Sequence, residues 1–170
     1  MPGRTLRRMY VLGLGANLGD RLAALRRAAL LLHQAEDLRV VAESAVYETD
    51  PVGPPQPRYL NAAIRVETTR SPEALLDLAL ATEARMGRDR STAVHWGPRT
   101  IDIDLLYGFH ASASGPRLRL PHAHLLERAF ALAPLLDVAP ELRPRFGGIL
   151  ADLGGSPETY RSDLGFTLED

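Results

Sequence analysis

The sequence predicts an α+β fold built on one mainly antiparallel sheet. Segments with buried or alternating apolar residues and two capped amphipathic segments follow one another roughly as β-α-β-β-α-β, with additions at the C-terminal end. That order is typical of the ferredoxin-like α/β sandwich. A chain of 170 residues is expected to form a single domain over 1–170, in which residues 1–8 are a flexible tail.

The first part of the chain predicts a strand, a helix and a second strand. Residues 9–16 predict a buried strand, and Asp20 is placed to cap a helix over 20–35. Residues 38–49 are strand-like throughout. Residues 50–58 contain four prolines and predict a stiff, extended loop, because proline fixes its own backbone and donates no hydrogen bond.

The middle of the chain carries the clearest signals. Residues 59–68 alternate apolar positions, as a half-buried strand does. The helix predicted over 71–87 has strong end signals, with Ser71 as the N-cap, Pro72 at the first position and Gly87 just past the end.

The remaining elements are shorter or less regular. Residues 88–95 lack periodicity and predict a loop, and residues 100–107 predict a strand. Residues 108–116 form a small polar connection. Residues 117–140 predict a short strand and then a helix that Pro134 kinks, and the proline- and glycine-rich remainder has one short helix.

Composition and charge exclude several classes of function. The net charge of −1 argues against general binding of nucleic acids or anionic membranes, and no apolar run approaches the ~20 residues of a membrane span. Cysteine is absent, which excludes disulfides and thiolate catalysis and fits a cytoplasmic protein. All 20 basic residues are arginine. The lack of lysine excludes a P-loop, the protein-kinase strand lysine and a lysine Schiff base.

Two aspartates in the strand predicted over 100–107 are candidate metal ligands. Asp102 and Asp104 are two residues apart, so both carboxylates lie on one face of a strand with Cα atoms ~6.5 Å apart. Such a pair can hold Mg²⁺ beside a phosphate chain. A bare Asp-x-Asp also fits an acidic face turned to solvent. The Trp96-Gly-Pro-Arg99 segment directly before the strand favours a site, because a plain solvent face does not require it.

Four arginines lie close to these aspartates in the sequence: Arg85, Arg88, Arg90 and Arg99. Guanidinium groups bind phosphates bidentately. A cation cluster facing a metal-bearing carboxylate pair suits the two ends of a triphosphate, and a solvated basic loop is the alternative.

Weaker candidates lie elsewhere. Residues 13–20, GLGANLGD, lack the third glycine of a dinucleotide-binding fingerprint and are better explained by a strand end and a helix cap. Tyr59 and Asn61 share one strand face, where Asn61 could bind the edge of a planar heterocycle or belong to an ordinary surface pair. His122 and Arg128 could reach a phosphate, although a histidine after a proline is often structural.

Several motifs occur in order and with fitting spacing: YVLGLGANLGD, YETDPVGP, QPRYLNAA, EARMGR, WGPRTIDIDLLYG and LPHAHLLERAFALAPL. Together, over about residues 10–140, they resemble the 6-hydroxymethyl-7,8-dihydropterin pyrophosphokinase family. The resemblance implies the ferredoxin-like fold and an enzyme of folate biosynthesis. Such an enzyme uses two Mg²⁺ ions to move the β,γ-pyrophosphate of ATP onto the hydroxymethyl oxygen of the pterin, and it releases AMP.

The resemblance also implies roles for individual residues. Asp102 and Asp104 match the metal ligands, and Arg88 and Arg99 match arginines on the transferring phosphates. Nucleotide and phosphate contacts are implied for Glu83, Arg90, Trp96, Arg99, Arg117, His122 and Arg128. The pterin pocket is implied to comprise Thr49, Val52, Tyr59, Asn61, Trp96 and Phe130, with Trp96 and Phe130 on the two faces of the ring.

We therefore expect a cytoplasmic monomer whose partners are ATP and the pterin, with neither nucleic acid nor membrane among them. An alternative of a different class is a non-catalytic ferredoxin-like domain for ligand sensing or interaction, in which Asp102 and Asp104 are merely exposed. The coincidence of metal carboxylates, phosphate arginines and a pterin pocket favours the enzyme. Dependence of ATP binding on Mg²⁺ would discriminate the two. No convincing general base is evident, and His122 is the nearest candidate.

Overall fold

The computed structural model describes residues 6–51, 53–87, 100–153 and 157–165. Within these ranges the chain forms a six-stranded sheet, a two-stranded hairpin and four α-helices. The strands are β1 (Arg8–Ala16), β2 (Leu38–Glu43), β3 (Val46–Thr49), β4 (Tyr59–Thr68), β5 (Asp102–Phe109), β6 (Ala113–Ser114), β7 (Arg119–Leu120) and β8 (Glu158–Arg161). The helices are α1 (Arg21–His33), α2 (Pro72–Arg85), α3 (Ala129–Val138) and α4 (Arg143–Asp152).

The large sheet is antiparallel in every pairing and has the order β5-β1-β4-β3-β8. The remaining strand, β2, also pairs with β4, so that β2 and β3 lie end to end along the same edge of β4. The small hairpin joins β6 to β7 within segments that we expected to be a polar connection and a short strand. The predicted α+β class and mainly antiparallel sheet are confirmed.

The single strand predicted over 38–49 is in fact two strands, which separate at Ser44. The Ser44 side-chain oxygen accepts a hydrogen bond from the backbone of Ala63 at 2.7 Å and donates one to the carbonyl of Ala45 at 2.7 Å. The backbone N–H of Ala45 donates to the carboxylate of Asp137 at 3.2 Å. Side chains thus satisfy the polar groups that a continuous ladder would have paired, and one of these side chains comes from a distant helix.

Two helices pack on one face of the sheet, and their N-terminal ends follow the sequence signals. The side chain of Asp20 accepts a hydrogen bond from Ala23 N–H at 3.1 Å, and that of Ser71 accepts one from Ala74 N–H at 3.2 Å. The residues that these helices bury recur at helical spacing. They are Leu25, Ala28, Ala29 and Leu32 in α1, and Leu75, Ala79, Thr82 and Glu83 in α2.

The C-terminal additions form a second helical layer on the opposite face. Seven of the ten residues of α3 are buried, among them Pro134. Five of the seven pack with Val11, Ala63 and Leu106 from the sheet and with Phe146 of α4. Among the helices of the described residues, none combines the length and apolar character needed to cross a membrane.

The strand β8 has no counterpart among the elements predicted from the sequence. All four of its residues are exposed, so it shows no apolar alternation. It is held by backbone pairing with β3 and by the following segment, in which Leu164 is completely buried and its carbonyl accepts a hydrogen bond from Arg26 at 2.9 Å.

Candidate active site

Strand β1 leaves an open floor in the sheet, because it carries glycine at alternate positions. Gly15 lies on the same face as Val11, which packs in the α3 core. Gly15 pairs with Asp102 of β5 on one side and with Asn61 of β4 on the other. Asp102, Gly15 and Asn61 therefore form one row across three strands, and two strand spacings put Asp102 and Asn61 about 10 Å apart.

A cavity of about 340 Å³ lies over this row. Its floor comes from the ends of β1, β3, β4 and β5, and its opposite wall comes from α3 and the segment that leads into it. Eight of the predicted site residues line it: Thr49, Tyr59, Asn61, Asp102, Asp104, His122, Arg128 and Phe130.

The other predicted site residues do not line the cavity or lie outside the described residues. Glu83 is buried in α2, and Arg117 pairs with Asp77 and Glu73 on the surface of the same helix. The last five lie outside the described residues: Val52, Arg88, Arg90, Trp96 and Arg99.

The two aspartates occupy alternate positions of β5 and line the cavity together. Ile101 and Ile103 are buried in the core on the opposite face, as alternation predicts, while Asp102 and Asp104 are half-buried. Two carboxylates beside open space suit Mg²⁺, which is typically held by one or two carboxylates while phosphates and waters complete the shell. Among the described residues, no group of three or more His, Asp and Glu side chains converges as a metal site.

The amide of Asn61 is already oriented at the floor. Its Nδ2 donates a hydrogen bond to the hydroxyl of Thr49 at 2.7 Å, which turns Oδ1 toward Gly15. A Cβ atom at Gly15 would lie 3.1 Å from that Oδ1, so only glycine leaves the space beside Asn61 open. Asn61 is 8% exposed, and its polar edge is therefore presented inside the cavity rather than to bulk solvent.

His122 stands on the opposite wall with its tautomer set by the backbone. Its Nδ1 accepts a hydrogen bond from the N–H of His124 at 3.1 Å, so the neutral ring carries its proton on Nε2. Burial lowers the pKa of His122, the charges of Arg128 and His124 lower it further, and Asp102 acts in the opposite direction. The ring is accordingly a neutral hydrogen-bond donor near pH 7.

Arg128 and Phe130 complete this wall at the start of α3. The guanidinium carbon of Arg128 lies 5.6 Å from the centre of the Phe130 ring, within the range of a cation–π contact. The wall thus combines a positive charge and an aromatic surface, and it faces a floor that carries two carboxylates and an amide.

The sequence analysis did not assign several residues that line the cavity: Gly13, Gly15, Asp50, Leu106 and His124. The glycines had a usable signal, because a Gly-x-Gly inside a strand removes two successive side chains from the same face. Asp50 follows β3 and is held by Arg58, whose Nε lies 3.2 Å from a carboxylate oxygen. Its place in the cavity depends on how the proline loop turns, which composition does not show.

Comparisons with known proteins agree with one another. A family model described as 7,8-dihydro-6-hydroxymethylpterin-pyrophosphokinase (HPPK) matches residues 11–140. The chain is 47% identical over 132 residues to a 2-amino-4-hydroxy-6-hydroxymethyldihydropteridine pyrophosphokinase of Methylorubrum extorquens. The aligned region covers 77% of this chain and 82% of that protein. It is 40% identical over 149 residues to the protein of the same name from Pseudomonas aeruginosa, with coverage of 87% and 90%.

Among solved structures, a Plasmodium falciparum HPPK-DHPS triple mutant with SDX-DHP is similar, with a TM-score of 0.67. The sequences are 15% identical, and the match covers 89% of this chain and 45% of that longer chain. At this level of identity the likeness supports the fold alone.

Proposed function

Because the chain belongs to the 7,8-dihydro-6-hydroxymethylpterin-pyrophosphokinase family, we propose that the cavity over Gly15 is where it transfers pyrophosphate from ATP to the hydroxymethyl group of 6-hydroxymethyl-7,8-dihydropterin. AMP is the other product, and the reaction is a step of folate synthesis. The roles of individual residues below are part of the same proposal.

One observation carries the assignment, namely the row Asp102–Gly15–Asn61 across three strands. The Asn61 amide, which can form hydrogen bonds with a heterocycle, and the Asp102 carboxylate, which can bind a cation, lie about 10 Å apart on one sheet face. The residue between them in the row is Gly15, which has no side chain. A flat ring bound at Asn61 can extend over Gly15 and direct its hydroxymethyl group toward Asp102. This arrangement suits an acceptor and a phosphate chain that must meet.

The pterin is bound at the β3–β4 side of the cavity. Asn61 and Thr49 contact the polar edge of the ring, and Tyr59 and Phe130 supply its aromatic surroundings. Val52 and Trp96, which lie outside the described residues, keep the roles in the pterin pocket that the family pattern implies.

The nucleotide is bound at the β5 side, below the wall that leads into α3. Arg128 and His122 bind phosphate oxygens, the first as a cation and the second through its Nε2 proton. Arg88, Arg90 and Arg99 supply further cations, and Arg117 is proposed as a nucleotide contact on the family pattern alone. The same pattern implies a nucleotide contact for Glu83, but its side chain is buried in α2 and does not line the cavity.

In the reaction, the hydroxyl oxygen of the pterin attacks the β-phosphorus of ATP while the bond from that phosphorus to the bridging oxygen of the α-phosphate breaks. AMP leaves with the bridging oxygen, and the hydroxyl proton is lost. Positioning and charge stabilisation dominate such transfers. His122 does not serve as the base through Nδ1, because that nitrogen already accepts the His124 N–H.

Asp102 and Asp104 would hold the two Mg²⁺ ions, since both carboxylates face the cavity and carboxylate oxygens suit this cation. Bound there, the ions would neutralise phosphate charge and favour loss of the hydroxyl proton.

We also propose that the chain acts as a cytoplasmic monomer. The absence of cysteine fits a reducing compartment, and a single chain carries every predicted site residue.

The experiment is to incubate the full chain with ATP, Mg²⁺ and 6-hydroxymethyl-7,8-dihydropterin and to separate the nucleotides by chromatography. We expect AMP in an amount equal to the pterin diphosphate, and no AMP when either the pterin or Mg²⁺ is omitted. Formation of ADP in place of AMP would contradict the proposal.

A further inference from the structure

Glu83 is a carboxylate that the sheet and α2 enclose almost completely. It is 1% exposed, and its Oε2 accepts a hydrogen bond from the backbone N–H of Ile103 at 2.8 Å. Ile103 is itself 3% exposed, so both partners are withdrawn from water. Enclosing a carboxylate in this way is costly, and packing α2 against the sheet would not require one.

The accepted hydrogen bond falls at a particular place in the sheet. Within the described residues, β5 has a strand partner on one side only. Ile103 is the residue between Asp102 and Asp104, and its N–H is directed to α2 rather than to a neighbouring strand. Farther along the same strand, the carbonyl of Leu106 accepts the N–H of His122 at 2.9 Å. Two contacts from outside the sheet therefore restrain the strand that carries the aspartates.

We infer that Glu83 is a positioning residue for Asp102 and Asp104: by holding the peptide between them, it sets the direction in which both carboxylates point. The inference rests on the proposed function, in which these carboxylates hold Mg²⁺. It gives Glu83 a role through the backbone of β5 rather than through the nucleotide, because the side chain does not line the cavity. Charged acceptors form the stronger hydrogen bonds to backbone N–H groups, which suits a restraint on a strand edge.

Glu83→Met and Glu83→Gln separate this role from simple packing. Methionine fills similar volume but leaves the Ile103 N–H without this acceptor, whereas glutamine retains a neutral acceptor at the same place. Thr82→Val is the matched control. Thr82 is also buried on α2, and its hydroxyl donates a hydrogen bond to the Leu78 carbonyl of the same helix at 2.8 Å.

Two measurements are made on each full-length variant. The first is hydrogen exchange at the Ile103 amide, followed by NMR in the free protein. The second is Mn²⁺ binding in the presence of a non-hydrolysable ATP analogue, followed by electron paramagnetic resonance. We expect faster Ile103 exchange and about tenfold or more weaker Mn²⁺ binding in Glu83→Met, since partners outside the ligand shell typically contribute 10- to 100-fold. Glu83→Gln should shift both quantities in the same direction by a smaller factor, and Thr82→Val should shift neither.

Unchanged Ile103 exchange together with unchanged Mn²⁺ binding in Glu83→Gln would overturn the inference, even if Glu83→Met failed to fold. A second result would also overturn the inference. If either Glu83 variant bound the ATP analogue more weakly in the absence of metal while its Ile103 exchange stayed normal, Glu83 would be a direct nucleotide contact. A wild-type chain that forms no AMP would instead remove the proposed function, and the exchange measurement on the free protein would still test the restraint on β5.

Discussion

The Nδ2 of Asn61 donates a hydrogen bond to the Thr49 hydroxyl at 2.7 Å, and this contact within the sheet fixes the side chain. A group held in this way loses little rotamer freedom when a ligand binds, so its hydrogen bonds contribute more of their strength to affinity. The residues proposed to bind the pterin are thus positioned by the sheet itself, and the effect of removing one of them should be local.

Asn61→Ala should weaken binding of the pterin much more than binding of Mg-ATP. Loss of the amide leaves the polar edge of the ring unpaired inside the cavity, which costs about 1–3 kcal/mol. Isothermal titration calorimetry with each ligand separately measures both affinities. Gln34→Ala, at the exposed residue that follows the C-terminal end of α1, serves as a control. An equal loss of affinity for both ligands would argue against the place given to the pterin.

His122 should make the free protein less stable in acid. Its folded-state pKa is lowered, so the unfolded chain binds a proton more readily than the folded chain. This contribution to the free energy of unfolding is full above about pH 6.5, the ordinary histidine value, and is lost as pH falls toward the lowered pKa. Thermal melts of the ligand-free protein across this range measure it.

His122→Gln removes this titration and retains a donor near the position of Nε2. The variant should therefore show a shallower loss of melting temperature with acid and keep more activity than His122→Ala. A pH–rate profile that loses its acid limb in both variants would instead indicate that His122 acts as the base.

At the scale of elements, β1 determines the shape of the cavity floor through Gly15. In Gly15→Ala the new Cβ would lie 3.1 Å from Asn61 Oδ1, which is tighter than ordinary packing. We expect pterin affinity to fall at least about tenfold, a loss of 1.4 kcal/mol, as the amide is displaced. Gly115→Ala is the control, because no atom of the described residues lies within 4 Å of its Cβ position. Normal pterin affinity in Gly15→Ala would show that the ring does not cross this floor.

The segment after β8 anchors the C-terminal part of the chain to the core. Leu164 is completely buried, so Leu164→Ala should lower the free energy of unfolding by about 2–5 kcal/mol. Leu153→Ala, at a position 39% exposed, should cost much less. Denaturant titration measures both. Similar small losses in the two variants would show that residues after β8 do not contribute to the core.

Sequence reasoning succeeded where local chemistry determines the element. Ser71 and Asp20 cap the helices that they were predicted to begin, and β4 spans the predicted residues 59–68. It failed where groups distant in the sequence determine where a strand begins or ends. The break at Ser44 depends on Asp137 ninety-odd residues away, and β8 exists because β3 offers it an open edge.

On the scale of the whole molecule, the cavity exists because the second helical layer covers only part of its sheet face. α3 packs over Val11 and Ala63, and the sheet beyond them, at Gly13 and Gly15, is left open. Residues far apart in sequence, from Thr49 to Phe130, meet there. The sequence showed the types of these residues and the family pattern to which they belong. It did not show the distances between them, because those distances follow from the register of the strands.

We propose above all that the two aspartates on β5, Asp102 and Asp104, support pyrophosphate transfer in this cavity. The most direct test is a single-turnover experiment with saturating Mg-ATP and pterin, in which AMP is measured for the wild type, Asp102→Asn and Asp104→Asn.

The wild type should form one equivalent of AMP. Each variant should be slower by at least about 10²-fold, as expected when a group that stabilises charge in the transition state is lost. Melting temperatures should stay close to that of the wild type, because both side chains face the cavity rather than the core. Near-normal AMP formation by either folded variant would contradict the account.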